Sequence, residues 1–198
     1  MAGMRDVDVR LLLHERLASK HSQDLDSTFV VDEFGICGKA RVDVAVINGY
    51  LTGFELKSES DSLVRLPKQV ATYSKVLDFS NLVVAERHFE KSLEMLPAWW
   101  GYQVVGYRNG KLEVVSQKQP SMSPILDPYL MTQVLWKSEA LEILEKLGAA
   151  KGMKSKTRQM IGRVLVETMS LDELRGAIRC TLKCRTGWRQ KPITSNAL

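Results

Sequence analysis

Ala40-Arg-Val-Asp-Val-Ala-Val-Ile47 alternates in character, Asn48-Gly49 follows, and Tyr50-Leu-Thr-Gly-Phe-Glu-Leu-Lys57 resumes the alternation. Side chains on a strand project to opposite faces with period two, and Asn-Gly between two such runs signals a hairpin. A two-residue loop at 48–49 would pair Ile47 with Tyr50 and put Asp43 on the face away from Glu55. A three-residue loop over 48–50, or a one-residue bulge near Gly53, restores parity and sets Asp43 opposite Glu55. The apolar pattern favours this second register, which pairs Val42 with Leu56 and Val44 with Phe54, whereas the first sets Val42 against Glu55. One face is then apolar. The other gathers Asp43, Glu55 and Lys57, with the two carboxylates about 5 Å apart at their Cβ atoms.

Upstream, Val9, Leu12, Leu13 and Leu17, widened by Leu11, recur at helical intervals over residues 5–19, and Phe29–Phe34 reads as a strand ended by Gly35 and Gly38. Downstream, Leu63, Leu66, Val70, Tyr73 and Leu77 predict a helix with Pro67 in its first turn, and Asn81–Ala85 predicts a buried strand. A helix over 88–96 and a hairpin across Asn109-Gly110 complete a mixed α/β unit. Its order is α-β-β-β-α-β with a two-strand extension, spanning residues 1–117. Pro120, Pro124 and Pro128 mark a connector, and helices follow over 129–136, 138–147, 156–169 and 171–182. Residues 118–198 therefore form a basic helical extension expected to pack on the core, with a disordered tail from about 186.

With 198 residues, 44% hydrophobic and 26% charged, the chain can bury one core unaided. Three cysteines, Cys37, Cys180 and Cys184, make no disulfide framework, and the last two, four apart on a helix, are expected to pack. The polar N-terminus and the absence of an 18-residue apolar run point to a cytoplasmic protein. The net charge of +5 is uneven: residues 1–100 hold 12 Lys and Arg against 15 Asp and Glu, and residues 101–198 hold 16 against 8. From Lys146 onward there are 12 basic residues and 3 acids, which suits contact with nucleic-acid phosphates. Trp99-Trp100 could stack on unpaired bases or anchor the core. His14, His21 and His88 are isolated, and none is assigned a metal.

Asp43 and Glu55 with Lys57 beside them suit a hard divalent cation, Mg²⁺ or Mn²⁺, whose bound water Lys57 could orient. The D-x11-E-x-K pattern, with Gln69-Val-Ala-Thr-Tyr73 on the next predicted helix, resembles the PD-(D/E)XK nuclease superfamily and its RecB-like branch, which carries Q-x-x-x-Y. Val42 stands where the family name has proline. Arg41–Asn48, Phe54–Ser58, Asp61–Gln69 and Pro97–Gly101 are similar to a small, poorly characterised bacterial and phage family, the "sce" proteins.

The resemblance implies a restriction-endonuclease-like core and cleavage of nucleic acid, DNA ahead of RNA, with Mg²⁺ or Mn²⁺. Asp43 and Glu55 would bind the metal, Lys57 would assist the attacking water, Gln69 and Tyr73 would tune the site, and Glu15 or Glu33 would be an accessory acid. Enzymes of this kind often pair subunits to cut both strands, so a homodimer is compatible with it. The alternative is an inactive nuclease-like fold that binds DNA or protein as a regulator in phage–host conflict, since the chain has no helicase or other domain to deliver substrate.

Overall fold

A computed structural model describes residues 3–36, 38, 40–186 and 190–191. Cys37 and most of the tail beyond 186 lie outside the described residues. Helix α1 (Asp6–Lys20) leads into strands β1 (Phe29–Ile36), β2 (Ala40–Ile47) and β3 (Leu51–Lys57). Helix α2 (Leu66–Tyr73), β4 (Phe79–Ala85), α3 (Glu86–Leu93), β5 (Gly101–Arg108) and β6 (Lys111–Lys118) follow. The sheet order is β6-β5-β4-β3-β2-β1, with the two-residue strand β7 (Gln190–Lys191) on the outer edge of β1. β3, β4 and β5 run parallel, linked by the crossover helices α2 and α3, and the remaining pairs are antiparallel. The fold is thus the mixed α/β sheet flanked by helices that the hydrophobic pattern predicts.

The central hairpin takes the favoured register. Ile47 pairs with Leu51 and Val44 with Phe54, so residues 48–50 form a three-residue loop, in which Asn48 Oδ1 accepts the Tyr50 N–H at 3.0 Å. The expected pair Val42–Leu56 is absent, because the β2–β3 ladder stops at Val44–Phe54. Val42 packs in one layer and Leu56 in the other. A break in β1 accompanies this: Asp32 pairs with Val44 and Phe34 with Val42, while Glu33 between them has φ +58°. Left-handed backbone reverses the strand's alternation, so both strands change face at one level.

Each sheet face has its own core. On one, Val9, Leu13 and Leu17 of α1 pack on Val44, Val46, Phe54 and Leu56. Leu11 does not widen that stripe; it is 59% exposed. The other face carries α2, α3 and four further helices, α4 (Pro128–Thr132), α5 (Lys137–Lys146), α6 (Arg158–Thr168) and α7 (Leu171–Cys184). Leu135, Leu144, Leu165, Leu174 and Leu182 join Phe34, Ile36 and Val42 in one cluster. Arg175 of α7 donates to the buried Asp78 at 2.7 Å, and Asp78 also accepts the Leu51 N–H at 2.8 Å. Contrary to expectation, Cys180 and Cys184 are exposed: Leu174, Ile178 and Leu182 form the buried stripe of α7, and the thiols fall on its outer side. Among the described residues no helix is long and apolar enough to cross a membrane.

Candidate active site

Strand β3 lies between β2 and β4 with helices over each face, so its central side chains are buried. Glu55 is 1% exposed and Lys57 3%. Two apart on the strand, they share a face, and the Lys57 ammonium donates to Glu55 Oε1 at 2.6 Å. One turn apart on α2, Gln69 and Tyr73 reach the same carboxylate. Gln69 Nε2 donates to Oε1, and the Tyr73 hydroxyl lies 2.8 Å from Oε2 and 2.6 Å from the Arg41 carbonyl oxygen. Burial, and then the charge of Glu55, push the Tyr73 pKa upward, so the phenol stays a neutral donor. Gln69 Oε1 is buried without a hydrogen-bond partner.

Asp43 stands where the two strands part. Its Oδ2 accepts the Leu56 N–H at 2.7 Å, a backbone donor that a continued β2–β3 ladder would have engaged. Its carboxyl is pushed up to about 7, first by burial and then by the Glu55 charge, against the opposing pull of the Leu56 N–H, Lys57 and Arg10. Arg10 of α1 donates to the Asp43 carbonyl oxygen at 2.8 Å and lies 4.0 Å from Asp43 Oδ1.

The two accessory candidates separate. Glu33 is beside Asp43, but its oxygens are engaged by Arg10 at 3.3 Å and Arg41 at 2.8 Å. Glu15 is exposed and does not line the site. Successive residues on a helix turn by about 100°, so Asp6, Arg10 and His14, four apart, share the face toward the site and Glu15 does not. Arg10 and Arg41 line the cleft and are among the residues that pattern reading missed. The polar stripe Asp6, Arg10, His14 beside the apolar stripe Val9, Leu13, Leu17 was the available signal for Arg10. His14 is engaged by Asp32 at 2.8 Å. Trp100 is a core anchor: it is buried, its ring stacks 6.2 Å from that of Tyr73, and its Nε1 donates to Ser74 Oγ at 2.8 Å.

A cleft of about 860 Å³ opens over Asp43, Glu55 and Lys57, and Arg10, Arg41, Arg65 and Lys68 line its walls. Among the described residues no group of three or more His, Cys, Asp or Glu side chains is arranged to hold a metal, so the carboxylate set here is the pair Asp43 and Glu55.

Fold and site together define a mixed α/β protein with a buried carboxylate–ammonium cluster at the floor of a cleft lined by both acidic and basic side chains. The family model described as bacteriophage P4 protein cII matches residues 4–196, and the chain belongs to that family. Protein cII of Enterobacteria phage P4 is 23% identical over 183 residues, which cover 92% of this chain and 68% of that protein. Among solved structures, the SPO1766 protein of unknown function from Silicibacter pomeroyi is 21% identical and covers 77% of this chain and 98% of its own, with a TM-score of 0.41.

Proposed function

We propose that the chain is a metal-dependent nuclease of the PD-(D/E)XK type that hydrolyses phosphodiester bonds, DNA ahead of RNA. The observation that carries this reading is the convergence of Lys57, Gln69 and Tyr73 on the Glu55 carboxylate, beside Asp43, in a cleft that Arg65 and Lys68 also line. The donor set fits a hard divalent cation. Burial first, and then the Glu55 charge, push Asp43 up to about 7, and a cation between the two carboxylates would oppose both effects. Asp43 and Glu55 would hold Mg²⁺ or Mn²⁺, with waters and substrate oxygens completing its shell. When bound, the ion supplies a Lewis acid that acidifies water and offsets phosphate charge.

The chain's own groups have separable tasks. Tyr73 and Gln69 fix the Glu55 carboxylate by hydrogen bonds from a rigid helix. The Lys57 ammonium, already at the carboxylate, orients the attacking water or offsets the charge that grows on the phosphate. Arg65 and Lys68 hold the phosphates on either side of the scissile bond. Glu33 would join a metal only by releasing Arg10 and Arg41. In the reaction the water oxygen bonds to phosphorus, the phosphorus–oxygen bond to one sugar breaks, and the departing oxygen takes up a proton.

Cleavage of plasmid, linear duplex and single-stranded DNA with and without Mg²⁺ tests this, comparing wild type with Glu55→Gln and Lys57→Ala. We expect Mg²⁺-dependent products from wild type and losses of at least about 100-fold in both variants; unchanged cleavage in both overturns the assignment. A second reading, a fold of this kind that binds DNA or a protein partner without cutting, draws on one observation: three donors already occupy the two Glu55 oxygens. Calorimetric titration with Mn²⁺ separates the two, since absent metal binding with DNA binding retained favours the second.

A further inference from the structure

A second cleft, of about 400 Å³, shares Glu33, Gly38 and Arg41 with the first, so the two adjoin across the Glu33–Arg41 ion pair, and the second reaches the C-terminal helices. Trp136 and Arg158 line its far end. Trp136, just before α5, is 50% exposed, although tryptophan is on average highly buried. It is also firmly held. The Arg185 guanidinium lies over the ring 4.4 Å from its centroid, and Arg185 donates to both Glu139 oxygens at 2.6 Å and to the Val134 carbonyl at 3.0 Å. Glu139 in turn accepts the Trp136 N–H at 2.6 Å. One ring face is thus backed by a buried ion pair, and a second planar group would stack on the other. Arg158 makes no ion pair with a described residue.

We propose that this end of the second cleft is a base-stacking subsite for single-stranded nucleic acid. An unpaired base lies on Trp136, its phosphate meets Arg158, and Arg41 carries the strand between this platform and the Asp43–Glu55 floor. Bases inside a duplex have both faces covered by their neighbours, so a fixed exposed ring distinguishes strands with unpaired nucleotides. A cleft near 400 Å³ lies at the small end of ligand-pocket volumes, about 300–1,000 Å³, and suits a nucleotide. The substrate class is single strands or duplexes with single-stranded tails. The proposal rests on the nuclease reading for what lies at the floor, and its test is one of binding.

The test is fluorescence anisotropy with a labelled oligothymidylate and a labelled blunt duplex, both in EDTA so that neither is cut. Trp136→Ala should weaken single-strand binding about tenfold, the effect of removing one base stack, and duplex binding less than about twofold. Trp136→Phe should restore most of the loss. Arg158→Gln, which removes no ion pair to a described residue, should reduce the salt slope of single-strand binding by about 0.7, the equivalent of one phosphate. Wild-type single-strand affinity in Trp136→Ala, an equal loss on duplex, or an unchanged slope in Arg158→Gln overturns the subsite. The Arg158 arm stands if Trp136→Ala fails to fold. Trp136-dependent binding without any Mg²⁺-dependent cleavage would support the subsite and refute only the nuclease reading; cleavage with binding indifferent to Trp136 would do the reverse.

Discussion

Burial, and after it the nearby Glu55 charge, outweigh the pull of Lys57 and Arg10 and leave Asp43 at about 7, where an unperturbed carboxyl titrates at 3.8. Between these values the folded chain binds a proton that the unfolded chain has released, so this group's contribution falls as pH rises from about 4 to 7. Asn at this position keeps an acceptor for the Leu56 N–H and carries no charge. In EDTA, the melting temperature of Asp43→Asn should therefore rise relative to wild type by several degrees between pH 4 and pH 8, read by circular dichroism. A difference independent of pH would show that Asp43 is not the strained partner. Mg²⁺ added at pH 8 should raise the melting temperature of wild type more than that of Asp43→Asn, because only wild type offers both carboxylates to the ion.

Among the strands and their loops, the same dipeptide makes two different connections. Asn109-Gly110 forms a two-residue turn with φ of 53° and 77°, pairing Arg108 with Lys111, whereas Asn48-Gly49 sits inside a three-residue loop. The dipeptide permits a turn; the burial of Val44 and Phe54 together on the α1 side chooses its length. That is why the register of the hairpin and the convergence of Asp43, Glu55 and Lys57 were legible, since a slip of one residue would turn apolar side chains out of the core. The parting of β2 and β3 beyond Val44 was not legible. It depends on a Glu33 backbone that local preference disfavours and the surrounding structure imposes. Arg10 was hidden for a related reason: its partners Glu33 and Asp43 come from two strands far along the chain. Gly53 belongs to the same close packing, for a Cβ there would run into the side chains of Leu77 and of Val42 on β2. Gly53→Ala should lower unfolding free energy by about 1–3 kcal/mol in urea titration, with the slope unchanged; a neutral result would mean that Leu77 can withdraw freely.

Across the molecule, the division of charge does not coincide with a division of structure. The basic rear half reads in sequence as an extension resting on a nuclease-like core, yet Leu165, Leu174 and Leu182 share one buried cluster with Phe34, Ile36 and Val42 of the first strands. Removing residues 118–198 would expose that cluster and strip Asp78 of Arg175. A chain ending at 117 should accordingly lose cooperative unfolding altogether, rather than bind nucleic acid more weakly while keeping its site. Charge must therefore be tested by substitution. Lys151, Lys154 and Lys156 are exposed and precede Arg158 at the start of α6. Reversing all three to Glu should leave the melting temperature within a degree or two, weaken single-strand and duplex binding alike, and reduce the duplex salt slope by about 0.9 for each phosphate that is no longer neutralised. Unaltered affinity and slope would identify these lysines as a solvated face and confine phosphate recognition to the cleft.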